Sequence, residues 1–321
     1  MNPLWALTDE VQPLPDQTVS LKAALRLRPG GPKAGRPTPE AGRPTPEARR
    51  PTPEAAEGIG NAMQTPGWVL AVAGAVLGLA VGSYLTVLIA RVPDGAGLLR
   101  PPGRCLSCAA GLRAADMIPL ASWLRLRGRC RCCRCRIGAW YPAVELATGA
   151  LLAVMALRFG ASPVLPAFWL LAALAVALAV IDLRHRRLPD ALTLPAYPAA
   201  IVLLGVAGLA VPGGGRRLLG ALVGLAAAWL FFLLLVVVYP AGLGWGDVKL
   251  AGLLGFYLGW LGVAAVLAGL LGAFVLAALA GLGLIAAGKA TPKSHIPFGP
   301  FMLAATLAVI AVSGVVPALA R

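Results

Sequence analysis

Apolar runs of about 20 residues, separated by short polar stretches, recur from residue 67 almost to the C-terminus. A run of that length crosses the hydrocarbon core of a bilayer as an α-helix. Backbone in lipid has no water to bond, so it must satisfy its own N–H and C=O groups within a helix or a closed barrel. The spacing predicts an all-α chain, a polytopic membrane helical bundle of about eight transmembrane helices, at roughly 67–90, 142–158, 165–181, 191–211, 217–239, 248–259, 263–287 and 299–319. The tract 248–287 is too long for one span, and Gly259-Trp260 and Gly262 offer the break.

Composition agrees. The chain is 59% apolar and 13% charged, with mean hydropathy +0.80, where a soluble domain is about 25% charged. The net charge of +15 would suggest nucleic acid in a soluble protein. Basic and aromatic residues do not interleave here as single-strand binding requires, so no nucleic-acid partner is expected, and membrane lipid is. Sixteen Lys and Arg fall in the segments on one side of the bundle and four on the other. That bias places the segment 91–141 in the cytoplasm and both termini outside.

Residues 1–62 are different. They hold three copies of Arg-Pro-Thr-Pro-Glu-Ala, at 36–41, 43–48 and 50–55. With no apolar period, the segment is expected to be disordered. Met63 stands just before the first apolar run, so translation is expected to begin there. The chain thus divides into an extension 1–62, a first transmembrane helix 63–90, a polar insert 91–141 and a transmembrane core 142–321.

All six cysteines lie in the insert, between Cys105 and Cys135. Cys105-Leu-Ser-Cys108 and Cys130-Arg-Cys-Cys133 form two CxxC knuckles 21 residues apart. Four thiolates so spaced suit a closed tetrahedral zinc site, which would fold an insert too small for its own core. Cys132 and Cys135 form an overlapping CxxC, so the downstream ligand pair is either Cys130/Cys133 or Cys132/Cys135.

From residue 63 onward only six acids occur: Asp94, Asp116, Glu145, Asp182, Asp190 and Asp247. Ionisable groups at membrane depth are costly and mark function. Asp182 closes an unbroken apolar run, and Asp247 opens the sixth span on the same cytoplasmic side. Asp190 suits an N-cap for the fourth span. Two carboxylates in a partly dry site share one proton, the arrangement with which an aspartic protease activates water and polarises a peptide carbonyl. Gly242, Gly244 and Gly246 would let the backbone unwind beside Asp247 and admit an extended substrate. An ion- or proton-coupled transporter built on Asp182 and Asp247 is the alternative from another class, although no half-to-half repeat is evident.

The ordered motifs resemble those of the bacterial prepilin peptidases, or type IV leader peptidases, over about 67–321. They are Gly82-Ser-Tyr-Leu-Thr-Val-Leu-Ile-Ala-Arg-Val-Pro93, Arg104-Cys-Leu-Ser-Cys108, Ile118-Pro-Leu-Ala-Ser-Trp-Leu124, Tyr141-Pro-Ala-Val-Glu145, Leu188-Pro-Asp190, Gly244-Trp-Gly-Asp247 with Lys249, and Pro297-Phe-Gly-Pro300. The resemblance implies a membrane aspartic endopeptidase of the cytoplasmic (inner) membrane that removes the basic leader of type IV prepilins or pseudopilins. It implies Asp182 and Asp247 as the catalytic pair, Gly244, Gly246 and Lys249 as the active-site loop, and 142–321 as the peptidase core. It also implies N-methylation of the new terminus with S-adenosylmethionine, an activity tied to the insert, and Zn2+ on Cys105, Cys108, Cys130 and Cys133 with Cys132 and Cys135 as extras. The chain departs from the family pattern at Thr86 and at Ala114-Ala115-Asp116-Met117. Both departures lie near the insert, so a peptidase without methyl transfer is the alternative within the class.

Overall fold

A computed structural model describes residues 66–92, 108, 110–111, 118–239, 243–289, 291 and 296–313. The chain divides into two units, Met1–Ile59 and Gly60–Arg321, and every described residue lies in the second. The expectations for the extension 1–62, for Met63, and for Cys105 and Gly242 fall outside the described residues.

Nine helices occur among the described residues: α1 Gly67–Arg91, α2 Ala121–Arg125, α3 Trp140–Phe159, α4 Leu165–His185, α5 Asp190–Ala210, α6 Gly214–Val238, α7 Trp245–Leu261, α8 Val263–Ala286 and α9 Gly299–Val312. The eight longer ones lie at the expected spans; for the last, expected over 299–319, the helix is described over Gly299–Val312. Six of them, α1, α3, α4, α5, α6 and α8, are long and apolar enough to cross a membrane, so this is a multi-pass membrane protein. Helices α7, of 17 residues, and α9, of 14, are shorter.

The short α7 is the centre of the bundle. Every residue from Leu250 to Trp260 is buried. A helix apolar all round belongs inside a bundle or in lipid, and α7 takes the first option, whereas α6 and α8 turn most of their length outward. Close approach is set by small residues, the usual device where lipid gives no hydrophobic drive between helices. A Cβ on Gly224 of α6 would stand 2.4 Å from the Gly255 carbonyl oxygen of α7. On the other side of the molecule, a Cβ on Gly78 of α1 would stand 2.7 Å from Gly149 Cα of α3.

Two expectations near the site are corrected. Helix α7 starts at Trp245, not at 248, so Gly246 and Asp247 are helical rather than unwound, and Gly244 before them is extended, at φ −98° and ψ 160°. The cause is local, because the Gly244 amide and the Asp247 carboxylate close the first turn. Asp190 is the first residue of α5 and not its cap. Pro189 holds that position, no side chain caps the helix, and the Asp190 carboxylate is drawn instead to Lys249.

Candidate active site

Helix α4 carries Asp182 on its last turn, where the side chain is 6% exposed. The helix ends when Arg186 turns into the left-handed region at φ 52°, and its amide donates to the Asp182 carbonyl at 2.8 Å. Three residues later Pro189 leads into α5. Asp247 lies in the first turn of α7, half-buried. The Gly244 amide donates to its Oδ2 at 2.9 Å, and its own amide donates to the Gly244 carbonyl at 3.0 Å. This reciprocal pair satisfies orphan groups at a helix start and fixes the carboxylate's direction.

Both carboxylates line one cavity of about 500 Å³. It opens at the end of the bundle where α1 and α4 finish and α5 and α7 begin. Asp190, Arg186, Arg187 and Lys249 line the same cavity, so its acids and bases balance in number. Lys249 is on the helix rather than a loop, and its Nζ lies 2.7 Å from Asp190 Oδ1.

Two further residues, neither assigned a role of its own from the sequence, pack against the acids. Gly299, the first residue of α9, packs against the Asp182 carboxylate. A Cβ at Gly299 would come 2.6 Å from Asp182 Oδ2. A helix N-terminus favours negative charge, and only glycine lets the carboxylate come this near. Leu188 packs where a Cβ on Gly246 would stand, 3.1 Å from its own Cβ, and its Cδ1 lies 3.7 Å from the corresponding point on Gly299. One side chain thus packs between the start of α7, which bears Asp247, and the start of α9, which seats Asp182. The signals for both were Pro297-Phe-Gly-Pro300 and Leu188-Pro-Asp190.

The insert is tied to the same end of the bundle. Glu145 of α3, 8% exposed, accepts the Leu120 amide on Oε2 at 2.7 Å. The Arg184 guanidinium lies 3.9 Å from the centroid of the Trp140 ring. Within the insert, the Sγ atoms of Cys108, Cys130 and Cys133 all lie within 4.8 Å of one another. Tetrahedral zinc with Zn–S near 2.3 Å sets ligand sulfurs about 3.8 Å apart, so these thiols fit the ion. Cys132 and Cys135 stand outside the converging set, which favours Cys130/Cys133 as the downstream pair. The Cys130 amide donates to the Cys135 carbonyl at 2.8 Å, so Cys135 shapes the knuckle through its backbone.

Two family descriptions match the chain: Bacterial Peptidase A24 N-terminal domain over residues 76–159, and Type IV leader peptidase family over 169–286. A Prepilin leader peptidase/N-methyltransferase of Burkholderia pseudomallei (strain 1026b) is 38% identical over 266 residues, covering 71% of this chain and 81% of that protein. The chain belongs to the type IV leader peptidase family. It is therefore an enzyme, a membrane peptidase, and the transporter alternative falls away. Relatives of the same name in Myxococcus xanthus (strain DK1622) and Stutzerimonas stutzeri are 42% and 36% identical over 235 and 253 residues. Each match covers 71% of this chain, and 68% and 85% of the relative respectively. The first family match spans the two knuckles and Glu145, and the second spans Asp182, Asp190 and Asp247. No solved structure matches the chain.

Proposed function

We propose that this leader peptidase removes the basic leader of type IV prepilins or pseudopilins at the cytoplasmic face of the inner membrane, with Asp182 and Asp247 as its catalytic pair. The reading rests on one observation above others: both carboxylates line a single cavity at the end of the bundle. The pair holds one proton between its two carboxyl groups. The ionised carboxylate takes a proton from water, and the resulting hydroxide adds to the scissile carbonyl while the protonated partner donates to the carbonyl oxygen. Collapse of the tetrahedral species passes a proton to the leaving nitrogen and restores the shared-proton state. The Gly244 amide and the close seat at Gly299 hold the two carboxylates in register for this exchange.

The cytoplasmic orientation rests on the distribution of Lys and Arg. A basic leader gains little from a cavity whose acids and bases balance in number. The substrate's apolar helix is therefore the main recognition element, docking against the spans and bringing its cleavage site to the membrane boundary. Cys105, Cys108, Cys130 and Cys133 would hold a structural zinc ion that folds the insert. N-methylation of the new terminus, with S-adenosylmethionine as methyl donor, follows the names of the relatives.

Mass spectrometry of a purified prepilin after incubation with the enzyme tests the whole reading. Loss of the leader is the expected product. A further methyl increment with S-adenosylmethionine present supports the second activity, and cleavage without that increment makes the chain a peptidase alone. An intact prepilin in reconstituted membranes would refute the proposal.

A further inference from the structure

Helix α5 grips α7 just after Asp247, at two points on one residue. Asp190 and Tyr197 are seven residues apart on α5, so at 3.6 residues per turn they share a face. The Asp190 carboxylate pairs with the Lys249 ammonium at 2.7 Å. The Tyr197 hydroxyl donates to the Lys249 carbonyl. That carbonyl belongs to the main-chain ladder of the helix that carries Asp247, so the hydroxyl inserts against the helix backbone two residues past the acid.

The surroundings fit that insertion. A Cβ on Gly252 would come 2.5 Å from the Tyr197 hydroxyl oxygen and 3.2 Å from Trp229 Cδ1, so glycine there opens the approach. Pro195 and Pro198 bracket Tyr197 on α5. Each removes a donor from the helix, which frees the local backbone to follow the side chain.

We infer that Tyr197 is a positioning residue for Asp247: its hydroxyl, bonded to the Lys249 carbonyl, fixes the turn of α7 that follows the acid and so aims the carboxylate at Asp182. The inference rests on the reading of Asp182 and Asp247 as the catalytic pair. Asp190 is the outer half of the same clamp, and it also keeps the Lys249 ammonium away from the two acids.

The test uses the full chain reconstituted in vesicles, with a prepilin that retains its apolar helix. Tyr197→Phe removes only the hydroxyl. A small misplacement of a reacting group from a distant substitution costs up to about 100-fold in rate, so kcat is expected to fall between about 10-fold and about 100-fold. KM is expected to stay within about twofold, because the lost interaction acts on the transition state and not on binding. The pH–rate profile is expected to move as well. Gly252→Ala drives the same hydroxyl out by another route and is expected to give the same kinetic signature. Wild-type kcat and pH profile in either variant, even with a lowered melting temperature, would mean that the hydroxyl is structural only and would overturn the inference. Asp247→Asn run in parallel separates the two claims. Cleavage by that variant defeats the dyad reading itself. An inactive Asp247→Asn beside a kinetically wild-type Tyr197→Phe defeats the inference alone.

Discussion

Oδ2 of Asp182 faces the start of α9 so closely that a Cβ on Gly299 would stand 2.6 Å from it. The acid at the end of one helix is thereby seated against the first residue of another, more than 100 residues later in the chain. The carboxylate gains the favourable end of a helix dipole, but the fit leaves no room for a side chain.

Gly299→Ala is therefore expected to displace Asp182 without unfolding the bundle. A cleavage rate lowered about 10- to 100-fold, with the melting temperature nearly unchanged, is the expected outcome. An unimpaired Gly299→Ala enzyme would show that Asp182 does not depend on this seat.

The metal account separates the cysteines by position. Ser at Cys108, Cys130 or Cys133, whose sulfurs converge, is expected to abolish zinc binding, because a closed four-ligand site tolerates little loss. Ser at Cys105, the expected fourth ligand, should do the same. Ser at exposed Cys132 or at Cys135 is expected to leave zinc bound. Metal analysis of the purified variants decides, and zinc lost from Cys132→Ser but kept in Cys133→Ser would reverse the assignment.

Glu145 is expected to anchor the insert to the bundle. Leu120, whose amide it accepts, sits at φ 57° and ψ −50°, a backbone state that a leucine holds only under constraint. Glu145→Ala leaves that amide without its acceptor, at a cost of about 1–3 kcal/mol. Faster hydrogen exchange across 118–137, with α4 and α7 unchanged, is the expected result. Glu145→Gln keeps an acceptor oxygen and should exchange much like the wild type. Equal protection in all three proteins would remove the anchor.

A dyad working with one shared proton loses activity at both ends of the pH range. When both carboxyls are protonated there is no base, and when both are ionised there is no acid. The dependence of kcat/KM on pH is expected to be bell-shaped, and a profile with a single limb would point to one working carboxyl.

Much of this molecule was legible in the sequence because the bilayer allows so few solutions. Apolar runs near 20 residues fixed the helices to within a few positions, and the rarity of acids singled out Asp182 and Asp247. What the sequence hid was contact between distant segments. Asp190 reads as a cap because it opens a helix, yet Lys249, 59 residues away, claims its carboxylate. The glycines before Asp247 read as a place to unwind, but the Gly244 amide binds the Asp247 side chain and closes the helix there. Gly299 reads as the start of the last span, and nothing local to it announces Asp182. Overlapping CxxC spacings are equivalent on paper, and only the convergence of three sulfurs distinguishes them.

The most direct measurement is kcat/KM for prepilin cleavage by Asp182→Asn and Asp247→Asn, each nearly isosteric and each checked for wild-type melting behaviour. Removing one member of a unit that acts together costs about 10⁴-fold or more, so both variants are expected to fall at least that far. Either variant cutting at more than about a tenth of the wild-type rate, a loss of under about 1.4 kcal/mol, would contradict the assignment of Asp182 and Asp247 as the pair that cuts.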